Sequence, residues 1–239
     1  MREPFRFKRF LVEQHAGVFP VGTDGVLLGA WAEIGGATRV LDIGTGTGLV
    51  ALMLAQRLEA TPSASISALD ILPEACACAR RNFACSPWAD QLELIEQSVQ
   101  AFAATAQRQY DLIVSNPPFF SGTTVSPDEH RRFSRNAVAL GSSVLLESVL
   151  RLLAPGGRFC AILPISEGQR FVENAALAGL YCTRLTHVRS RPEKPVERLL
   201  LQLERDPYRF ERTELAIQAA GDERSAAFRA LTGAFYLYW

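Results

Sequence analysis

The sequence lacks the features that mark several large classes of protein. No apolar run among its 239 residues is long enough to span a bilayer, and residues 1–9 lack the apolar core of a signal peptide. The formal net charge is zero, so a nucleic-acid substrate would require a local basic patch. These absences favour a globular cytoplasmic protein that is long enough for one large α/β domain.

Cysteine and histidine are scarce and show no spacing typical of metal ligands. The five cysteines are odd in number and include no C-x-x-C pair, and the three histidines are scattered. These residues are Cys76, Cys78, Cys85, Cys160, Cys182, His15, His130 and His187. We therefore expect reduced thiols and no bound metal.

An Asn-Pro-Pro-Phe motif at residues 116–119 follows the apolar run 110–115 and is expected to form the tip of a strand. Proline has no N–H donor and a fixed φ, and it disfavours helical backbone before it, so this tip should be stiff. The Asn116 side chain and the Pro117 carbonyl can then accept hydrogen bonds from a group with two N–H donors, such as the exocyclic amine of adenine. Phe119 offers a flat face for stacking a base. The alternative is a stiff loop closed by a core phenylalanine.

A glycine-rich segment follows the predicted strand 40–43 and precedes a helix that is expected to reach about residue 58. Its glycines are Gly44, Gly46 and Gly48. Such glycines let the backbone approach a ligand at a helix N-terminus. The dinucleotide fingerprint G-x-G-x-x-G needs glycine where this chain has Leu49, which disfavours an NAD-dependent oxidoreductase. With Asp42 two residues ahead, the segment resembles the S-adenosylmethionine loop of Rossmann-like methyltransferases.

Four more side chains are candidates for binding a cofactor. Asp70 ends the next predicted strand, where Rossmann-type sites use an acid for ribose hydroxyls; the alternative is a solvated acid. Ser98 stands where many S-adenosylmethionine enzymes have an acid that contacts the adenine amine, and a serine can bond that amine only without charge assistance. Thr23 and Asp24 are expected to cap a helix over residues 26–32, to close over the amino-acid end of the cofactor, or to do both.

Basic residues form three clusters, each of which could simply be a solvated face. The clusters are Arg2, Arg6, Lys8 and Arg9; Arg131, Arg132 and Arg135; and Arg184, Arg189, Arg191, Lys194 and Arg198. If the fold gathers them around one opening, they would suit an RNA backbone. The candidate RNA contacts are Lys8, Arg9, Arg131, Arg132, Arg135, Arg191 and Lys194.

Strand and helix signals alternate after residue 38, which predicts βα units on a mainly parallel sheet. The further predicted strands are residues 65–69, 92–96, 112–115 and 158–163, with a terminal pair at 181–188 and 197–203. The further predicted helices are residues 73–85, 140–153, 169–177 and 228–238. No linker interrupts this pattern, so we expect a single domain over residues 1–239, with residues 1–37 as an extension that closes over the site.

Several segments together resemble the bacterial tRNA1(Val) adenine N6-methyltransferases. They are residues 5–10, 21–31, 42–48, 86–89, 116–120 and 234–238. The resemblance implies a Rossmann-like class I methyltransferase with a mostly parallel seven-stranded sheet, helices on both faces and an antiparallel terminal strand pair. It also implies S-adenosyl-L-methionine as cofactor and methylation of the adenine just 3′ of the anticodon in a tRNA substrate. Separately, no obligate protein partner is evident from the sequence.

The chain departs from this family at two positions. The family tends to have lysine where this chain has Pro20, and aspartate where it has Ser98. Related enzymes with the same fold methylate glutamine side chains or guanine amines. Those substrates remain alternatives, as does a non-enzymatic nucleotide-binding module.

Overall fold

Strands and helices alternate along the chain in the computed structural model, which describes residues 2–117, 141–207, 209–220 and 222–237. The strands are β1 (Arg2–Arg6), β2 (Leu11–Gln14), β3 (Arg39–Ile43), β4 (Ser65–Asp70), β5 (Leu92–Glu96), β6 (Tyr110–Ser115), β7 (Leu153–Pro164), β8 (Tyr181–Arg189), β9 (Arg198–Glu204) and β10 (Glu211–Ala216). The α-helices within the described ranges are α1 (Thr23–Trp31), α2 (Leu49–Leu58), α3 (Pro73–Ala84), α4 (Val99–Thr105), α5 (Ser142–Leu152), α6 (Ile165–Leu177) and α7 (Ala226–Thr232).

One large sheet organises these elements, with the strand order β10-β8-β9-β7-β6-β3-β4-β5. Strand β9 runs antiparallel to both of its neighbours, and every other pairing in this sheet is parallel. The predicted α/β fold with a mostly parallel sheet and an antiparallel terminal pair is therefore confirmed. The sheet has eight strands rather than seven. Its additional strand, β10, is a polar edge strand that pairs with β8, so no apolar run marks it in the sequence.

Helices cover both faces of this sheet because successive strand residues point to opposite sides. In β6, Leu112 and Val114 join a core that includes residues of α1 and α2. Between them, Ile113 joins a second core that includes residues of α5 and α6. All three side chains are fully buried, which explains why the sequence of β6 is a continuous apolar run.

Helix α1 begins earlier than the predicted range 26–32. Gly22 is its N-cap residue, and no side chain caps the helix. The prediction that Thr23 or Asp24 caps it is therefore wrong, because both residues lie inside the first turn. Helix α1 packs closely on α2: a Cβ atom at Gly29 would lie 2.8 Å from the Met53 sulfur.

The C-terminal helix is shorter than predicted. Helix α7 is capped by the Ser225 hydroxyl and ends at Thr232, although the pattern predicted a helix over residues 228–238. Beyond it, the carbonyl oxygen of the buried Phe235 accepts a hydrogen bond from the Lys8 N–H at 2.8 Å, and Tyr236 pairs with Phe7 as an isolated bridge. Contacts with the N-terminal segment thus replace the helical hydrogen bonds.

The ends of two other predicted elements also differ. Helix α6 begins at Ile165 rather than at residue 169, directly after the end of β7. Strand β7 begins at Leu153, so the Ala-Pro-Gly-Gly segment at 154–157 ends α5 but already belongs to the strand. A register shift in the β6–β7 pairing accommodates this segment.

Strands β1 and β2 form an antiparallel hairpin that the sequence pattern did not predict. The Asn82 side chain on α3 holds the hairpin by accepting from the Glu13 N–H at 2.9 Å and donating to the Thr47 carbonyl at 2.8 Å. An exposed ion pair between Arg81 and Glu13, at 3.3 Å, lies beside it. The hairpin therefore fixes the N-terminal segment against the loop that precedes α2.

Candidate active site

The carboxyl ends of the parallel strands open into one cavity of about 700 Å³. In α/β sheets, ligands bind at this edge, outside the carboxyl ends of the strands. The predicted site residues among its lining are Thr23, Asp24, Asp42, Gly44, Gly46, Asp70, Ser98, Asn116 and Pro117. The fold therefore brings together most of the residues that the sequence suggested for the cofactor and for the reacting group.

The glycine-rich loop connects β3 to α2 along the wall of this cavity. Gly44 and Gly46 have φ values of 74° and 57°, and a Cβ atom on either would meet no atom within 4 Å. Their open sides leave room for a ligand to approach the backbone. The backbone N–H groups of Gly44 and Thr45 both donate to the Leu69 carbonyl at 2.9 Å, which ties the loop to the end of β4.

Gly48 has a different role from the other two glycines, because it does not line the cavity. Its φ is 83°, and a Cβ atom there would lie only 2.5 Å from the Phe83 ring. Glycine at this position therefore permits close packing of α3 against the start of α2. The next residue, Leu49, is buried as the first residue of α2.

Two carboxyl groups flank the glycine loop. Asp42 is 1% exposed and accepts a hydrogen bond from the Thr45 hydroxyl at 2.7 Å. Burial raises the pKa of Asp42 to about 7, and the nearby charge of Asp70 acts in the same direction. Burial also raises the pKa of Asp70, although its carboxyl accepts from the N–H groups of Gly46 at 2.8 Å and Leu72 at 3.0 Å. Asp70 thus links the glycine loop to the start of α3.

Ser98 is the N-cap residue of α4. Its hydroxyl oxygen accepts from the Ala101 N–H at 3.2 Å, while the side chain lines the cavity. One acceptor position of the hydroxyl is therefore used by the helix, and none of the hydrogen bonds among the described residues uses its proton.

Asn116 and Pro117 follow β6 at the centre of the cavity edge. The Ser115 hydroxyl donates to the Ile43 carbonyl at 2.9 Å, which fixes the end of β6 beside the end of β3. A Cβ atom at Gly25 would lie 3.8 Å from the Asn116 side-chain nitrogen, so α1 packs directly behind this side chain. Phe119 lies outside the described residues.

The candidate RNA contacts are only partly near the cavity. Lys8 donates to the Gly233 carbonyl at 2.6 Å, and Arg9 pairs with Glu59 at 2.6 Å. Glu59 follows the last residue of α2, about 15 Å from the glycine loop along this ten-residue helix. Lys8 and Arg9 therefore do not flank the cavity opening.

The cations of the loop between β8 and β9 lie nearer the cavity. Arg191 pairs with the exposed Asp222 at 2.7 Å, and Lys194 is exposed. Both belong to the loop between Ser190 and Glu197, which are themselves part of the cavity lining. Arg131, Arg132 and Arg135 lie outside the described residues.

One wall of the cavity was missed by reasoning from sequence. It consists of Val188, Arg189, Ser190, Glu197, Arg198 and Ile217, at the ends of β8 and β10 and the start of β9. The sequence assigned Arg189 and Arg198 only to a basic cluster. The antiparallel direction of β9 was the one available signal, because it returns the chain to the site edge at Arg198.

A metal-binding cluster and a membrane-spanning helix were both sought among the described residues. No group of three or more His, Cys, Asp or Glu side chains in these ranges could hold a metal ion. No helix within the same ranges is long and apolar enough to cross a membrane.

Comparison with known proteins agrees with this geometry. The family model described as "Methyltransferase small domain" matches residues 12–143. A predicted O-methyltransferase from Agrobacterium tumefaciens superposes with a TM-score of 0.68 at 18% identity, over 90% of this chain and 98% of that one. A glycopeptide N-methyltransferase complexed with S-adenosyl-L-methionine superposes with a TM-score of 0.54 at 15% identity, over 78% and 100% of the two chains. The fold and the family model define a class I methyltransferase.

Sequence relatives narrow this class. The tRNA1(Val) (adenine(37)-N6)-methyltransferase of Trichodesmium erythraeum is 37% identical over 233 residues, which are 98% of this chain and 97% of the relative. The Serratia proteamaculans protein of the same name is 41% identical over 240 residues, with 100% and 91% covered. The chain belongs to the tRNA1(Val) (adenine(37)-N6)-methyltransferase family, as the sequence motifs predicted.

Proposed function

We propose that this protein transfers a methyl group from S-adenosyl-L-methionine to the exocyclic N6 amine of adenine in tRNA, next to the anticodon of tRNA1(Val). The observation that carries this proposal is the position of Asn116 and Pro117, which line the same cavity as the glycine loop. A group held by Asn116 is thereby close to a group held by the loop. Family membership supports the choice of adenine over glutamine or guanine.

The residues around the cavity fit this cofactor. The open space beside Gly44 and Gly46 would let the cofactor approach the backbone of the loop, and Asp70 would accept hydrogen bonds from its ribose hydroxyls. Ser98 would contact the adenine amine, and Thr23 and Asp24 would close over the amino-acid end. Asp42 and Gly48 support the glycine loop through the Thr45 hydroxyl and the Phe83 ring. A cavity of about 700 Å³ falls in the size range of cofactor sites.

Asn116 and Pro117 act on the target amine. The lone pair of this amine is delocalised into the ring, so the amine is a weak nucleophile. The Asn116 side-chain oxygen and the Pro117 carbonyl accept its two N–H groups and orient the lone pair toward the methyl group. The cofactor supplies that methyl group in electrophilic form. Orientation and preorganised dipoles then provide most of the rate enhancement.

No strong general base is required, because the methylated ammonium is acidic and loses its proton after transfer. We therefore expect no catalytic histidine.

The target base must leave its stack to enter the cavity. Unstacking costs a few kcal/mol and is easier in an anticodon loop than in a duplex. We propose that Phe119 stacks on the target base and thereby offsets part of this cost. The candidate RNA contacts Lys8, Arg9, Arg131, Arg132, Arg135, Arg191 and Lys194 are proposed to bind backbone phosphates. Lys8 and Arg9 would contact a part of the tRNA that is remote from the target base.

We also propose that residues 1–239 act as a single domain in the cytoplasm without an obligate protein partner. Residues 1–37 form an extension of it that closes over the site. The support for this closure is that Val18, Phe19 and Pro20 line the cavity together with the first turn of α1.

Mass spectrometry of nucleosides tests the proposed function. The protein should be incubated with unmodified tRNA1(Val) and S-adenosyl-L-methionine, and the digested tRNA should contain one N6-methyladenosine. A transcript with guanine in place of the target adenine is the matched control and should remain unmodified. Methylation of the control transcript, or of a protein glutamine but no tRNA, would contradict the proposal.

A further inference from the structure

The two oxygens of the Asp24 carboxylate have different surroundings. Its Oδ2 atom accepts a hydrogen bond from Arg198 Nε at 3.0 Å. Its Oδ1 atom makes no hydrogen bond within the part of the chain that the structure describes. Both residues line the cavity. One oxygen is thus held by the protein, and the other remains available to a ligand.

The fold places Arg198 at this point for a specific reason. Arg198 is the first residue of β9, where it lies opposite Pro164 of β7 and Val188 of β8. Strand residues two apart share a face, and Leu200 belongs to the core that includes α1, so Arg198 points to the α1 side of the sheet. Its Nη1 atom also donates to the Glu197 carbonyl at 3.1 Å, which limits the freedom of the guanidinium.

We propose that Arg198 is a positioning residue that orients the Asp24 carboxylate toward the ammonium group of the cofactor's amino-acid end. This inference rests on the proposed function of the cavity. The guanidinium fixes the rotamer of Asp24 through Oδ2, and Oδ1 accepts from the ammonium. The carboxylate then lies between two cations, and each cation takes a different oxygen.

The test compares two ligands that differ at the amino-acid end. S-adenosylhomocysteine carries that end, whereas 5′-methylthioadenosine has the same nucleoside and sulfur without it. Titration calorimetry should show that Arg198→Met binds S-adenosylhomocysteine about two- to five-fold more weakly than the wild type, as expected for one partly exposed ion pair. Binding of 5′-methylthioadenosine should not change.

Two further variants complete the design. Arg198→Lys keeps the charge and should recover part of the lost affinity. Arg81→Met removes an ion pair of the N-terminal hairpin that does not line the cavity, and it should leave the affinity for both ligands unchanged. Melting temperatures should be measured for all variants. We expect Arg198→Lys to melt at the wild-type temperature, so that its binding can be compared even if Arg198→Met folds poorly.

Equal weakening of both ligands in Arg198→Met would overturn the proposal, because it would indicate a general structural role. Unchanged binding of S-adenosylhomocysteine would overturn it as well. Failure of the wild type to bind either ligand would contradict the cofactor site itself, and with it the proposed function.

Discussion

Replacing Asp42 with asparagine should change how the stability of the protein depends on pH. The Asp42 carboxyl is 1% exposed, and burial raises its pKa from the ordinary value of 3.8 to about 7. The folded protein therefore keeps a proton on Asp42 at pH values where the unfolded chain has released it. A carboxyl with a raised pKa contributes its full stability when the pH is below its pKa in the unfolded chain. This contribution is lost as the pH rises through its pKa in the folded protein.

The pKa difference sets the size of the effect. Between pH 3.8 and about 7, each unit of pKa difference corresponds to about 1.4 kcal/mol, so ionisation of Asp42 removes at most about 4 kcal/mol of unfolding free energy. Asparagine has almost the same shape and does not titrate. The Asp42→Asn variant should therefore lack this loss, and its stability should rise relative to the wild type between pH 4 and 8.

Urea denaturation at several pH values measures this difference directly. The matched control is Asp111→Asn, because hydrogen bonds from Thr38 and Arg39 outweigh burial there and lower the pKa of Asp111. A carboxyl with a lowered pKa stabilises the protein when the pH is above its ordinary pKa, and this stability is lost as the pH falls. The stability of Asp111→Asn relative to the wild type should therefore fall as the pH rises. Parallel profiles for the wild type and Asp42→Asn would refute the reasoning.

Four more outcomes are expected for the binding of cofactor and tRNA. Asp70→Ala should weaken binding of S-adenosylmethionine by about 1–3 kcal/mol in calorimetry, because a ribose acceptor and two bonds to the backbone are lost; equal affinity would remove Asp70 from the site. Ser98→Asp should strengthen the same binding, since a carboxylate adds charge assistance to the contact with the adenine amine, and weaker binding would exclude that contact. Joint replacement of Arg131, Arg132 and Arg135 by alanine should flatten the salt dependence of tRNA binding by roughly one unit of slope per lost phosphate contact, with cofactor affinity retained. A separate replacement of Arg191 and Lys194 should act in the same way, and an unchanged slope in either variant would assign those cations to a solvated face.

The central part of the site was predictable because strand ends and special residues coincide there. Gly44 and Gly46 follow β3 and Asp70 ends β4, and parallel strands bring their carboxyl ends to one edge. Asn116 follows β6, which pairs in parallel with β3, so it lies at the same edge as the glycine loop. These positions depend on local sequence and on one general rule of α/β sheets.

Other features depend on contacts between distant segments, which local patterns do not encode. Strand β10 is mostly polar and has no alternating pattern, so only its pairing with β8 identifies it as a strand. The C-terminal segment leaves its helical pattern because Phe235 and Tyr236 find partners near the N-terminus. Arg198 was identified as one of several cations, and its contact with Asp24 follows only from the direction of β9.

The most direct test of the central claim is the single-turnover rate of N6-methyladenosine formation by Asn116→Ala. The variant removes one acceptor of the target amine and leaves the glycine loop and Asp70 intact. At saturating cofactor and tRNA, the rate should fall by on the order of 10²–10³, while cofactor affinity and melting temperature stay close to the wild-type values. A folded Asn116→Ala variant that methylates tRNA at the wild-type rate would contradict the assignment of this site to amine methylation.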